Sequence, residues 1–211
     1  MGRRRAGPEG AGQDNETKQR LEESALHLFS HKGYAATSIR EIIERAGVTR
    51  PVLYYYYESK EAMFRRLLES RFEAFSRDLE EALAKASTLR ESLRAMAWTT
   101  FQHAEQSPEA VRLILQTFFA PRLDRPDFDE DSLWEPRFNR IRALMEAARL
   151  SNEVTAGDPE ILARAFCGLI DMHVMAKCRK PLFRLTRSLA DDLVMLFLEG
   201  AWPRAPKHKP I

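Results

Sequence analysis

Thr49, Arg50, Tyr54 and Tyr55 fall within about two turns of any helix that holds them. They offer a hydroxyl, a cation and two phenol rings, groups that bind a polyanion or a base edge. The flanking residues dictate how they are carried. Ile39, Ile42, Ile43 and Ala46 recur at i, i+3, i+4, i+7, the apolar stripe of a short helix that leaves Arg40, Glu41, Glu44 and Arg45 outward. Gly47 closes that helix, Val48 packs into the corner and Thr49 suits the N-cap of a second one. Pro51 then stands in the first turn, where a helix does not need its missing N–H. Leu53, Tyr56 and Tyr57 share the buried side, so Arg50, Tyr54 and Tyr55 face out. A helix, a turn and a second helix with its reactive groups near its start fits the major groove of B-DNA, which admits one helix.

The residue order AGVTRPVLYYYYESKEAM closely resembles the signature of the TetR-type bacterial repressors, roughly A-G-V-S-x-G-x-L-Y-x-Y-F-x-S-K-E-x-L. Ala46, Gly47, Val48, Leu53, Tyr54, Tyr56, Ser59, Lys60 and Glu61 stand at matching positions. Pro51 replaces the usual glycine, Tyr55 a common histidine, Tyr57 a phenylalanine and Glu58 a frequent proline. The resemblance implies a double-stranded DNA operator as partner. It implies that Thr37 and Thr49, at the two helix starts, contact phosphates with help from the helix N-termini. Tyr54 would hydrogen-bond the DNA backbone and Lys60 would pair with a phosphate. Arg50 and Tyr55 are the expected base readers, and Pro51 sits among them where it bears on which sequence is read.

The remaining elements are expected to be helical throughout. A tail over residues 1–15, with Arg3, Arg4 and Arg5 and glycines that break a helix, reads as disordered. The first helix is expected from about Glu16 to His31, where Leu21, Ala25, Leu28 and Phe29 close a three-helix DNA-binding domain over residues 16–66, its helix-turn-helix at about 38–57. From Lys60 an apolar stripe through Met63, Phe64, Leu67, Leu68, Phe72, Phe75, Leu79 and Leu83 predicts a helix of about 25 residues, roughly 35 Å long. Further helices are expected at about Leu89–Gln106, Pro108–Phe119, Ser132–Leu150, Pro159–Arg179 and Thr186–Trp202, with prolines marking boundaries. The fold class is all-α: the N-terminal domain, a larger helical ligand-binding and dimerisation domain over 67–203, and a tail at 204–211.

The last two helices are apolar over most of their circumference, through Ile161, Leu162, Phe166, Ile170, Met172 and Met175 on one and Leu189, Leu193, Val194, Leu196 and Phe197 on the other. So wide a surface needs burial on two sides. A second copy of the chain is the expected cover, giving a homodimer that reads a roughly palindromic operator. The middle helices are rich in aromatics. Trp98, Phe101, Phe118, Phe119, Trp134, Phe138 and Phe166, with His173 as a polar group, are the candidate lining of a pocket for an apolar or aromatic small-molecule effector. His103, Arg137, Arg140 and Asp171 are further polar candidates. A second domain that answers to a protein partner instead of a small ligand is the alternative.

Composition bounds the rest. The chain has 211 residues, 44% of them hydrophobic, and a net charge of only +2, so any cationic surface is local. The longest apolar run, Leu193–Leu198, falls far short of the ~20 residues that cross a bilayer. The first residues are polar and show no secretory leader, and Cys167 and Cys178 share one predicted helix that forbids a bridge between them. A cytoplasmic location follows as an expectation. No nucleophile elbow or H-E-x-x-H spacing marks a catalytic site, no cofactor motif is present, and His27 and His31, at i, i+4, read as a surface pair without a further metal ligand in sequence.

Overall fold

The computed structural model describes residues 8–119, 126, 129, 131–154 and 157–200, with side chains described from Asp14 to Phe118 and in the later segments. The elements are α1 (Pro8–Lys32), α2 (Ile39–Ala46), α3 (Arg50–Tyr56), α4 (Lys60–Leu83), α5 (Leu89–Gln106), α6 (Pro108–Phe119), α7 (Asp131–Leu150), α8 (Pro159–Arg179) and α9 (Arg187–Glu199). Among the described residues there is no strand, and no helix is long and apolar enough to cross a membrane.

The chain forms two compact units, one of residues 1–74 with 107–133, the other of residues 75–106 with 134–211. Within the first unit α6 lies against α1. In the first unit Leu21, Ala25 and Phe29 of α1 meet Ile42 and Ala46 of α2, Leu53 of α3, Met63, Phe64, Leu67 and Leu68 of α4, and Leu113 of α6. Phe29, Tyr34 and Phe64 pack as a triangle of rings with centroids 5.0 to 5.8 Å apart. Burying one such phenylalanine contributes roughly 1.5–3 kcal/mol. In the second unit α5 packs on α8 and α9, and α8 on α9. Leu93, Met96 and Phe101 share that unit with Ile141, Met145, Phe166, Ile170, Leu193 and Val194, all buried.

Most helix starts and stops follow the expected signals. Asp158 caps α8 through the amides of Glu160 and Ile161, and Thr186 caps α9 through that of Leu189. One start differs. Helix α1 begins at Pro8 and not near Glu16, because proline is tolerated in a first turn and single glycines lower helix propensity by ~1 kcal/mol without forbidding it. Asp14, expected in the tail, accepts a hydrogen bond from the Tyr56 hydroxyl. The arginines at 3–5 and the tail at 204–211 lie outside the described residues.

Candidate functional site

Helix α2 is fixed at both ends. Ser38 accepts from the Glu41 amide while the Glu41 carboxylate accepts from the Ser38 amide, a reciprocal capping box. Lys32 from α1 reaches the same carboxylate. These contacts, the Lys32 hydrogen bond foremost, pull the Glu41 carboxyl down to about 2. At the other end Gly47 takes a left-handed φ of 65°, and the amides of Gly47 and Val48 donate back to Glu44 and Ile43 in a Schellman closure.

That closure aims α3. Thr49 is its N-cap, with an exposed side chain that makes no capping hydrogen bond. The amides of Val52 and Leu53 both donate to the Thr49 carbonyl, and Pro51, in the first turn, has no amide hydrogen. Leu53 and Tyr57 point inward, and the Tyr57 hydroxyl donates to Glu22 at 2.5 Å. Burial first, then that bond to a carboxylate, push the Tyr57 phenol far up, so it stays a donor. On the opposite side Arg50, Pro51, Tyr54 and Tyr55 are exposed, Tyr55 by 75%. The Arg50 guanidinium stands 5.8 Å from the Tyr54 ring centroid, a cation–π contact that holds both at the head of the helix. Arg50, Pro51, Tyr54 and Tyr55 thus share one exposed side of α3.

Two expected phosphate contacts have other occupations. Thr37 is 1% exposed and its hydroxyl donates to the Gly33 carbonyl at 2.8 Å, because α2 starts one residue later and Ser38 is its cap. The Ser38-x-x-Glu41 spacing carried that signal. Lys60 is half-buried. Its ammonium donates to the carbonyls of Tyr34 and Thr37, both at 2.9 Å, and sits 4.1 Å from the Tyr34 ring centroid. Desolvation lowers its pKa. It ties the start of α4 to the turn before α2.

The second unit holds a cleft of about 630 Å³ whose lining includes Asp78, Glu81, Lys85, Trp98, His103 and Arg187. Its character is polar. Of the eight residues expected to line an effector pocket, it includes Trp98 alone. Phe101 and Phe166 are core, Phe166 edge-on to Phe197 at 5.2 Å. Trp134 lies 5.6 Å from the Arg137 guanidinium, Phe138 lies 4.8 Å from that of Arg164, and His173 donates through Nδ1 to the Leu169 carbonyl at 2.8 Å. Phe118 is half-buried on α6 of the first unit, and the Phe119 side chain lies outside the described residues. Phe101 and Phe166 thus serve as packing. His103, by contrast, does face the cleft, with Nε2 2.7 Å from Asp78 and its ring edge-on to Phe75. Deeper in, Arg137 pairs with Asp171 at 2.9 Å, and burial raises the pKa of the neighbouring Cys167 thiol. Arg140 pairs at the surface with Glu80. Cys167 and Cys178, both on α8, are in no disulfide among the described residues.

A capped helix-turn-helix with a cation and two phenols on its open face has the form of a DNA-reading element. Residues 22–67 match the family model described as bacterial regulatory proteins, tetR family. It is 38% identical over 72 residues to the probable HTH-type transcriptional regulator YttP of Bacillus subtilis, covering 34% of this chain and 35% of that one. It is 30% identical over 102 residues to the HTH-type transcriptional activator FasR of Mycolicibacterium smegmatis, covering 48% and 47%. The chain thus spans between a third and a half of the length of these curated relatives. The transcriptional regulator FadR of Bacillus subtilis, solved in complex with stearoyl-CoA, shares the fold with a TM-score of 0.73 at 18% identity, over 88% of this chain and all of that one.

Proposed function

We propose that the protein is a cytoplasmic homodimeric repressor that holds a palindromic operator and releases it when a small molecule occupies the second unit. The observation that carries this reading is the exposed face of α3, where Arg50, Tyr54 and Tyr55 stand beside an N-cap hydroxyl with no capping bond to make. Arg50 suits a bidentate grip on guanine O6 and N7. Tyr55, the more exposed ring, reads a neighbouring base, Pro51 shapes the approach, and Thr49 and Tyr54 hold phosphates. Lys60 has one of its three N–H groups left for a phosphate after serving two carbonyls.

Dimerisation is supported by α8. Ile161, Ala165, Gly168 and Met172 recur at i, i+4, i+7, i+11 and are all exposed, Met172 by 63%, while Met195 and Leu196 are exposed on α9. A stripe with small residues in its middle and large apolar ones at its ends suits close approach by a second copy. The polar cleft favours an effector with a charged head as well as an apolar body, and the stearoyl-CoA held by the FadR relative makes long-chain acyl-CoA the first probe. A tenfold preference for the non-binding state shifts the balance by only about 1.4 kcal/mol, so useful release needs a larger one.

Selection of genomic fragments by the purified protein tests the reading. Enrichment of one palindromic motif, released by acyl-CoA, is expected. Arg50→Ala should relax discrimination at one base pair by roughly 1–3 kcal/mol, whereas Tyr54→Phe, which removes only a hydroxyl, should weaken all sequences alike. No enrichment, or the same base preference in wild type and Arg50→Ala, overturns it.

A further inference from the structure

The two histidines that read as a surface pair on α1 meet a third ligand-type group in the same unit. Glu109, in the first turn of α6, places its Oε1 2.8 Å from His27 Nδ1 and 3.7 Å from His31 Nδ1. The imidazole centroids are 4.3 Å apart, and one ligand atom from each of the three residues lies within 4.8 Å of the other two. We propose that His27, His31 and Glu109 form a binding site for a divalent transition-metal ion of the zinc type, clamping the last turns of α1 to the first turn of α6.

The geometry is close to what such an ion requires. Metal–ligand bonds of 2.0–2.2 Å in a tetrahedral site set neighbouring ligand atoms about 3.4 Å apart, and the two distances to Glu109 bracket that value. Histidines at i, i+4 project side by side from one helix, and a carboxylate from a second helix completes a set of three that leaves the fourth position to water. Two imidazoles select zinc, nickel or cobalt over magnesium and calcium, which prefer oxygen ligands. Side-chain exposures of 33% to 40% at the three residues leave the ion a path in.

Before an ion binds, His27 is hydrogen-bonded to Glu109, and His31 Nδ1–H donates to the His27 carbonyl at 2.8 Å, with Ser30 Oγ 3.1 Å from the same nitrogen. Metal capture moves the hydrogen of each neutral ring from Nδ1 to Nε2, so that both Nδ1 lone pairs face the ion. The hydrogen count is unchanged, and the ring-to-carbonyl bond is exchanged for a coordinate one.

The test is calorimetric titration of the full chain with Zn²⁺ and Ni²⁺ in a non-chelating buffer, with Co²⁺ absorption as a second readout. One ion per chain with Kd tighter than ~100 µM is expected, together with visible bands of four-coordinate cobalt and a raised melting temperature. His31→Ala and the near-isosteric Glu109→Gln should each weaken binding by ~10-fold or more with unchanged circular dichroism, whereas His103→Ala should leave it as it was. Absence of stoichiometric binding, or binding that survives both His31→Ala and Glu109→Gln, overturns the proposal.

Discussion

Arg50 and Lys60 carry the same charge at opposite ends of one short segment, and their surroundings give them different tasks. Arg50 is exposed, with its guanidinium over the Tyr54 ring, and is available to a partner. Lys60 is held by two carbonyls and an aromatic face. Lys60→Met keeps the approximate length of the side chain and removes the charged donor from both carbonyls, leaving that of Tyr34 only the Thr37 amide. It is therefore expected to destabilise the protein by ~1–3 kcal/mol, read from urea unfolding. An unchanged unfolding midpoint would show that water replaces the ammonium. Glu41 makes a pH-dependent contribution. Its carboxyl titrates at about 2 in the folded chain, below the ordinary glutamate value near 4.3. The stabilisation is complete above that ordinary value and is lost as pH falls from it through about 2, since the unfolded chain takes up the proton first. Melting temperature against pH should fall less steeply below about pH 4.3 in Glu41→Gln than in the wild type, and parallel curves would assign the acid sensitivity elsewhere.

Elements were legible where a local signal encodes them. The α2–α3 corner is the clearest case, since the turn glycine, the N-cap threonine and the first-turn proline each specify backbone geometry at their own position. Gly47 has open space where a Cβ would go, so the cost of replacing it lies in the left-handed backbone alone. Gly47→Ala should lower stability by ~1–2 kcal/mol, and Gly47→Asn, which tolerates that conformation better, by less. Equal losses in a thermal melt would point instead to a clash. Illegible features were those set by packing at a distance. Glu109 lies 82 residues from His27, and no periodicity in α1 announces which helix will cover it. Aromatic richness likewise told of burial without telling whether the buried rings fill a core, as Phe101 and Phe166 do, or line a cleft, as Trp98 does. Thr37 and Ser38 are adjacent hydroxyls, and only the capping geometry separates the one that folds inward from the one that starts the helix.

At the scale of the whole molecule, the unresolved demand is the open stripe on α8. Gly168 costs the helix ~1 kcal/mol relative to alanine, and within one chain nothing lies within 4 Å of the position its Cβ would take. A single chain gives no reason for that glycine; close approach of the second copy proposed above would. Gly168→Leu should thus preserve the helical signal while shifting the protein from dimer to monomer in sedimentation equilibrium, and a variant that stays dimeric would move the interface elsewhere. The opening turn of α3 offers a way to watch the proposed dimer meet the proposed operator. With the Val52 and Leu53 amides committed to the Thr49 carbonyl and Pro51 lacking one, the Arg50 amide is the backbone donor of that turn left to solvent among the described hydrogen bonds. Its deuterium uptake is fast by construction, which makes a single backbone site, placed beside the groove, the molecule's own occupancy gauge.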